Sequence, residues 1–384
     1  MTVLAAVGAL SVLSWIVLLL FRGAFWRADQ RLQATWPQRA VWPAVVAVIP
    51  ARDEASTIGV AVHSLLNQDY PGDLSVIVVD DGSRDGTAAA ARAANDDRLT
   101  VIAGEPLAEG WTGKLWAVDQ GLREAQRKAS DAAFVLFTDA DIVHHPNTLR
   151  RLVAKAEDEN LDLVSLMVRL RCISAWERLL IPAFVFFFQK LFPFRWVNAA
   201  DRSEAAAAGG CMLVRRSALE RIDGIASIRD RLIDDCALAG RIKPGGPIWL
   251  GLGEDSHSLR RYDSLADVWE MVARTAYTQL NYFPQALVGT LIGMAVIYLA
   301  PVGTSVFGAL SGDMPAFYAG LAAWLIMGNA YEPTLRLYGQ PQWAALSLPI
   351  AGFLYTLMTL DSARRHWLGR GGAWKGRTYG PPDG

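Results

Sequence analysis

The sequence predicts an α/β fold with a mostly parallel sheet, preceded and followed by apolar helices that cross a membrane. Short β-branched runs alternate with helical stretches in the middle of the chain, which is the pattern of βαβ units. Long apolar runs stand on both sides, and hydrophobic residues make up 52% of the 384 residues. Because 20% of the residues are charged, too many for a polytopic transporter, a mixture of soluble and membrane parts fits both values.

Charge and cysteine usage exclude two other classes. The formal net charge of −1 argues against a nucleic-acid-binding protein, which would be basic. The three cysteines, Cys172, Cys211 and Cys236, show no CxxC spacing, so neither a zinc site nor a disulfide framework is indicated.

Residues 1–22 are predicted to be a membrane anchor. Val3–Phe21 is almost entirely apolar and long enough to cross a bilayer. A signal peptide would normally have a positively charged start, but no Lys or Arg precedes this run. The positive charges follow it instead, at Arg22, Arg27, Arg31 and Arg39. By the positive-inside tendency, the N-terminus lies outside and the chain that follows lies in the cytoplasm.

Four strands and three helices are predicted in the next region. The strands are residues 44–50, 75–80, 99–103 and 132–138, and the helices are residues 57–68 (capped by Ser56), 87–94 and 114–129. In a parallel sheet of this kind ligands bind outside the carboxyl ends of the strands, so the residues just after each strand are the candidate site residues.

Polar loops do follow the strands. A turn and capping role would account for any one of them, but four such loops at one sheet edge favour a nucleotide site. Their candidate residues are Pro50, Arg52, Asp53 and Glu54, then Asp80 and Asp81, then Lys114, and finally Asp139 and Asp141.

Asp139 and Asp141 directly follow the fourth strand and are candidate metal ligands. Mg²⁺ and Mn²⁺ favour oxygen ligands, and Mg²⁺ usually combines one or two carboxylates with substrate phosphates. The alternative is an acidic loop without a metal.

These motifs, in this order, resemble the nucleotide-sugar half of family-2 glycosyltransferases with the GT-A fold. The resemblance covers residues 44–246 and rests on PARDE, VVDDGS, GK and DAD. It implies a nucleotide-diphosphate sugar donor, which we expect to be UDP-linked. It also implies that Asp53 or Glu54, Asp80 or Asp81, and Lys114 hold the nucleotide, while Asp139 and Asp141 hold ribose, metal and diphosphate.

Such enzymes need a further carboxylate deeper in the domain. The sequence RLIDDCALAGRI supplies Asp234 and Asp235, where the family usually has Glu-Asp, so Asp235 maps to the general base. The alternative is that two acids complement the dipole at a helix start. The small residues of AAAAGGCMLV just before would let donor and acceptor approach the backbone.

One family motif is incomplete in this chain. Where these enzymes often carry Q/R-x-x-R-W, residues 271–275 read MVART, so only Arg274 matches. The resemblance implies that Arg274 contacts the leaving diphosphate, and the missing tryptophan makes a processive polysaccharide synthase a weaker hypothesis. A solvated or headgroup-binding arginine is the alternative.

The remaining apolar segments are assigned to the membrane. Within a catalytic domain of residues 40–280, the Phe-rich residues 179–194 are predicted to be interfacial or re-entrant, with a buried helix as the alternative. Residues 284–362 form a C-terminal membrane region with apolar runs at 286–307, 316–327 and 343–360, and residues 363–384 form a basic tail. Three full spans would leave that tail outside, so either one run is re-entrant or the count is wrong.

The chain resembles most closely the bacterial hopanoid-associated glycosyltransferases, and its ending resembles enzymes of the ceramide-glucosyltransferase kind. We therefore predict a multi-pass protein of the bacterial inner membrane that transfers a sugar, with inversion, to a lipid acceptor. One alternative is a polyprenyl-phosphate glycosyltransferase, and another is a non-catalytic lipid-binding scaffold with the same fold. A transporter is disfavoured because the apolar runs contain no charge pair that would mark an ion path.

Overall fold

The structure is a computed structural model that describes residues 2–33, 39–369, 373–374 and 377–378. The strands of the main sheet are β1 Val45–Ala51, β2 Leu74–Asp80, β3 Leu99–Ala103, β4 Phe134–Thr138, β5 Ile142–Val143, β6 Leu163–Arg169, β7 Cys211–Arg215 and β8 Ile248–Ser258. Two further two-residue strands, Ala373–Trp374 and Arg377–Thr378, pair with each other. Residues 370–372, 375–376 and 379–384 of the predicted basic tail lie outside the described residues.

The helices are α1 Val3–Phe21, α2 Ile58–Leu66, α3 Thr87–Arg92, α4 Gly113–Lys128, α5 Thr148–Asp158, α6 Ala175–Leu191, α7 Phe194–Val197, α8 Arg216–Arg221, α9 Asp234–Ile242, α10 Leu265–Ala273, α11 Pro284–Met294, α12 Ala300–Ser311, α13 Met314–Leu337 and α14 Leu348–Trp367. A π-helical turn, Ala295–Leu299, joins α11 to α12. The described chain divides into a sheet unit (residues 29–33, 39–171, 196–260, 373–374 and 377–378) and a helical unit (residues 2–28, 172–195 and 261–369).

The sheet of the sheet unit has the strand order β3-β2-β1-β4-β7-β6-β8-β5. The first four strands are parallel to one another, as the sequence predicts, because helices connect them in βαβ units. β7 runs antiparallel to both β4 and β6, so the sheet as a whole is mixed. Every residue of β1 and β4 is buried, in keeping with central strands that are covered on both faces.

The predicted helices and strands of this unit are present with small shifts at their ends, but the predicted helix cap is wrong. Thr57, not Ser56, is the residue before α2, and its side chain does not cap the helix. The Thr57 hydroxyl instead donates to Glu54, because residues 54–57 close a turn of their own before the helix begins.

Within the part of the chain that the structure describes, three helices are long and apolar enough to cross a membrane: Val3–Phe21, Pro284–Ser311 and Gln342–Trp367. The predicted run 316–327 belongs to α13, which has 24 residues but is not one of these three. The Phe-rich segment lies mainly on α6, a continuous helix that contains Pro182 and buries Ile181, Val185 and Phe186 in the helical unit. Its interfacial position stays a prediction.

Candidate active site

Two loops at the carboxyl ends of β1 and β2 are hydrogen-bonded to each other. Nη1 of Arg52 donates to the backbone oxygen of Asp81 at 2.5 Å and lies 3.4 Å from the Asp81 carboxylate. The backbone N–H of Asp53 donates to the Ser83 hydroxyl, and the Asp53 carboxylate accepts the backbone N–H of Arg84. The predicted nucleotide-binding residues Arg52, Asp53 and Asp81 therefore lie together.

The other two carboxylates of this group bond within their own loops. Oδ1 of Asp80 accepts the backbone N–H of Ser83 at 3.0 Å, and Oε2 of Glu54 accepts the Thr57 hydroxyl at 3.0 Å. These bonds hold the two turns in shape. Asp81 is the most enclosed of the four predicted acids, with 2% of its surface exposed.

Lys114 joins two of the predicted acids. Its ammonium lies 2.9 Å from Oδ1 of Asp139, after β4, and 2.9 Å from Oδ2 of Asp234, at the start of α9. Lys114 itself is in the first turn of α4. Burial alone would lower the pKa of Lys114, but the two carboxylates more than compensate, so its pKa is raised and it stays charged.

The pKa of Asp139 is raised in this crowded group of charges. Burial raises the pKa of its carboxyl, and although Lys114 lowers it, Asp141 and Asp234 raise it further, so the net pKa lies above its usual range. One lysine thus faces several carboxylates, and the site holds excess negative charge before any anionic substrate enters it.

Asp235, the predicted base, is held by two backbone amides. Its Oδ2 accepts the N–H of Gly209 at 2.9 Å, and its Oδ1 accepts the N–H of Cys236 at 2.7 Å. Burial and the neighbouring Asp234 raise the pKa of Asp235 to about 6, and Lys114 and the two amides limit that rise. The carboxylate is therefore mostly ionised at neutral pH yet basic enough to accept a proton.

Gly209 sits between Lys114 and Asp235. A Cβ atom at this position would lie 3.4 Å from Nζ of Lys114 and 3.5 Å from Oδ2 of Asp235. The absence of a side chain at Gly209 therefore leaves open the space between the cation and the candidate base. The approach of donor and acceptor to this backbone stays a prediction.

An open pocket of about 330 Å³ is lined by Lys114, Asp139, Gly209 and Asp234. Thr138 is a further polar residue of its lining. The other lining residues are apolar: Pro50, Leu115, Val118, Phe137, Met212, Ile225, Ile228 and Leu238.

Asp141 takes its main contact from a residue that the sequence did not suggest. Its Oδ2 accepts the hydroxyl of Ser258 at 2.6 Å, and only 9% of Asp141 is exposed. Ser258 ends β8, which pairs antiparallel with β5, and no sequence motif links it to the acidic loop.

The donor set of Asp139 and Asp141 fits a hard cation. Both are carboxylates, and the negative charge of Asp141 raises the pKa of its neighbour, so a cation here would relieve repulsion. No group of three or more His, Cys, Asp or Glu residues in the described ranges is arranged to hold a metal by itself. Mg²⁺ is commonly bound by one or two carboxylates, and substrate phosphates complete its coordination.

Arg274 belongs to the helical unit, where it follows the last residue of α10, and all the residues described above belong to the sheet unit. Its role toward the diphosphate stays a prediction.

The family model described as Glycosyl transferase family 2 matches residues 46–223. Curated relatives include an N-acetylglucosaminyltransferase of Mesorhizobium japonicum, 34% identical over 131 residues, and a 4,4'-diaponeurosporenoate glycosyltransferase of Staphylococcus aureus, 39% identical over 100 residues. These matches cover 32% and 26% of this chain but only 28% and 24% of the relatives, so the chain matches about a quarter of their length.

A solved structure similar to this chain is that of a mannosyltransferase from Pyrobaculum calidifontis in complex with GDP-Man and Mn²⁺. The identity is 23%, the TM-score is 0.52, and the alignment covers 94% of this chain and 98% of that chain. At this identity the likeness shows the fold. The protein therefore has the GT-A fold, and its residues 46–223 are similar to the family-2 glycosyltransferases.

Proposed function

We propose that this protein is a membrane-bound inverting glycosyltransferase that moves a sugar from a nucleotide-diphosphate sugar to a lipid acceptor. The observation that carries the proposal is the cluster of Lys114, Asp139, Asp234 and Asp235 at the edge of the sheet where the strands end. Donor binding requires a cation and acids, which Lys114 and Asp139 supply. Proton removal requires a carboxylate of raised pKa, which Asp235 supplies.

The donor occupies the sheet edge in this proposal. The bonded loops with Arg52, Asp53 and Asp81 take the nucleoside, and Lys114 pairs with the diphosphate. We expect a UDP-sugar, while the GDP-Man complex of the Pyrobaculum enzyme makes GDP-sugars the natural comparison. Asp139 and Asp141 would hold Mg²⁺ or Mn²⁺, which would neutralise the diphosphate as it leaves.

Asp235 acts on the acceptor. The acceptor hydroxyl gives its proton to the Asp235 carboxylate while its oxygen forms a bond to the anomeric carbon. The bond from that carbon to the diphosphate oxygen breaks, and its electron pair leaves with the nucleoside diphosphate. Attack opposite the leaving group inverts the anomeric centre, and no covalent sugar–enzyme intermediate is required.

The helical unit supports a lipid acceptor and a membrane location. Large apolar side chains such as Leu20, Phe307 and Leu310 are exposed on helices that are long enough to cross a bilayer. With the arginines after α1, they support a multi-pass protein of the bacterial inner membrane with its catalytic domain in the cytoplasm. We expect the acceptor to be of the hopanoid type, on the sequence resemblance alone.

The contacts of α14 support the proposal that this helix is the re-entrant segment. A re-entrant α14 would place the basic tail on the cytoplasmic side, where three full spans would leave it outside. The C-terminal end of α14 contacts the last residues of the predicted catalytic domain: Asp361 accepts the indole N–H of Trp269 at 2.9 Å, and Ser362 accepts the backbone N–H of Tyr277 at 3.0 Å. Near its start, Gly352 lies against Tyr298, midway along Pro284–Ser311. In this proposal α14 starts within the membrane and returns to the cytoplasmic side.

Nucleotide release from a panel of UDP- and GDP-sugars tests the proposal. The full chain in detergent is assayed with and without Mg²⁺ or Mn²⁺, and with hopanoid, diacylglycerol or polyprenyl-phosphate acceptors. Release that requires both metal and a lipid hydroxyl supports the proposal and identifies the donor. Release with polyprenyl phosphate alone favours the alternative acceptor, and a chain that binds no nucleotide sugar would contradict the enzyme assignment.

A further inference from the structure

The carboxylate of Asp141 is held by a chain of hydrogen bonds from the end of β8. The backbone N–H of Arg260 donates to the Ser258 hydroxyl at 3.1 Å, and this hydroxyl donates to Oδ2 of Asp141 at 2.6 Å. The backbone N–H of Leu259 also donates to the backbone oxygen of Asp141 at 2.8 Å. Side chain and backbone of Asp141 are thus fixed by three consecutive residues.

The strand pairing makes this arrangement specific. Ile142, next to Asp141, pairs with Ser258 in the antiparallel ladder between β5 and β8, so the serine is delivered beside the acidic loop. Ser258 is 4% exposed and Asp141 is 9% exposed. A carboxylate this enclosed is costly unless it accepts hydrogen bonds, and the serine hydroxyl supplies one.

The same loop is tied at its other end. The Thr138 hydroxyl donates to the backbone oxygen of Gly210 at 2.8 Å and lies 2.9 Å from Nε2 of His144. Because the Thr138 hydrogen is directed to Gly210, Nε2 of His144 is the donor to Thr138. The backbone of residues 138–144 is therefore anchored without Ser258, which leaves the orientation of the Asp141 side chain as the task of the serine.

We propose that Ser258 is a positioning residue for the metal-binding carboxylate of Asp141, an inference that rests on the proposed function. By holding Oδ2, the hydroxyl fixes the plane of the carboxylate before a cation and a diphosphate arrive, and Oδ1 is the oxygen that the serine leaves to the cation. Hydrogen bonds to ligating carboxylates typically change metal affinity by about 10- to 100-fold when removed.

Manganese binding to the full chain in detergent tests this inference. Free Mn²⁺ is followed by electron paramagnetic resonance in the presence of UDP and, in parallel, GDP. We expect Ser258→Ala to weaken Mn²⁺ binding about 10- to 100-fold and Ser258→Thr, which keeps a hydroxyl, to restore most of the affinity. Asp141→Ala should abolish the nucleotide-dependent binding.

Ser256→Ala is the matched control. Ser256 is on the same strand, is 2% exposed, and bonds to the Thr148 hydroxyl at 3.0 Å instead of to the acidic loop. The loss of the Ser256 hydroxyl should therefore leave the Mn²⁺ affinity unchanged. In turnover assays Ser258→Ala should raise the half-activating Mn²⁺ concentration and leave the rate at saturating metal close to that of the wild type.

The outcomes separate this inference from the proposed function. If the wild type binds Mn²⁺ and Ser258→Ala binds it equally well, the inference is overturned and the proposed function stands. If Ser256→Ala weakens binding as much as Ser258→Ala, the effect belongs to the strand and the inference is also overturned. A wild type that binds no Mn²⁺ with either nucleotide overturns both.

Discussion

The ammonium of Lys114 lies 2.9 Å from Oδ2 of Asp234, and the next residue along the chain, Asp235, is the candidate base. Lys114 also lies 2.9 Å from Asp139, so one cation is shared between two carboxylates. Lys114 can pair with the diphosphate, but its single charge is already offset by these two carboxylates, so it does not neutralise an incoming diphosphate by itself. This charge deficit gives a physical reason for a divalent cation at the same site, since a second positive group is needed when the donor binds.

Replacing Lys114 by Met should weaken donor binding. The change removes a charge-assisted bond and leaves Asp139 and Asp234 facing an anionic substrate, so we expect kcat/KM to fall about 10- to 100-fold. Donor titration and turnover measure the effect. Lys128→Met is the control, because Lys128 is an exposed residue on the same helix that donates to Thr100. Equal losses in both variants would contradict the role of Lys114.

Replacing Gly209 by Ala should reduce activity but not stability. The added methyl would make contacts of 3.4 Å and 3.5 Å with Lys114 and Asp235, which the fold tolerates, but it would occupy the space between them. We expect turnover to fall about 10- to 100-fold because reacting groups are displaced. Thermal unfolding should be unchanged.

Gly240→Ala provides the comparison for Gly209→Ala. Nothing lies within 4 Å of a Cβ at Gly240, which is on the exposed side of α9, so alanine should stabilise that helix slightly and leave turnover as it is. Full activity of Gly209→Ala would show that the space beside Asp235 is not used by substrates.

The pH profile should report Asp235. Because the protonated acid cannot accept a proton, kcat/KM should fall as the pH drops through about 6, the raised pKa of this carboxyl. Asp234→Asn removes one cause of that raised pKa, so the acidic limb should move to lower pH. A limb that stays in place, or moves to higher pH, would be inconsistent with Asp235 as the titrating group.

Glu177 should be important for the stability of the helical unit. Its buried carboxylate accepts the backbone N–H groups of Ile173 and Ser174 at 2.8 Å and that of Tyr262 at 2.9 Å. Glu177→Gln replaces one accepting oxygen by an NH₂ group, and a buried donor that loses its acceptor costs about 1–3 kcal/mol. We expect a lower unfolding temperature in detergent.

Glu177 forms a capping box with Ser174 at the start of α6, and the capping box of Ser264 and Asp267 at the start of α10 serves as its control. The exposed carboxylate of Asp267 accepts the backbone N–H of Ser264 at 2.8 Å, and water can replace this bond. Asp267→Asn should therefore have the smaller effect. If the two variants unfold at the same temperature, burial does not increase the contribution of the Glu177 hydrogen bonds to stability.

Local sequence patterns predicted the parts of the site that lie next to a strand end or a helix start. Asp139 directly follows a buried apolar run, and Asp234 begins a helical pattern, so the neighbouring residues predict that each lies at the end of a strand or the start of a helix. The position of Lys114 was expected from the polar loop after the third strand, and that of Asp235 from the resemblance. The bonds from Lys114 to two acids depend on how α4, β4 and α9 converge, and spacing along the chain does not encode that.

Ser258 and the amide of Gly209 were not foreseen because nothing local marks them. Ser258 reaches Asp141 only through an antiparallel strand pairing, and the amide of Gly209 is a backbone group that any residue carries. Ser56 failed as a cap for the opposite reason. It has the right residue type, but a turn at residues 54–57 places Thr57 before the helix.

Transfer of labelled sugar into lipid is the decisive assay for the proposed reaction. The wild type and Asp235→Asn are incubated in detergent with the donor, Mn²⁺ and a hydroxyl lipid, and radioactivity in the organic extract is measured alongside donor binding. We expect labelled lipid from the wild type and a loss of about 100- to 10,000-fold in Asp235→Asn, with donor binding retained. Equal labelling by both proteins would rule out Asp235 as the base, and donor binding by the wild type without any labelled lipid would rule out a lipid acceptor of this kind.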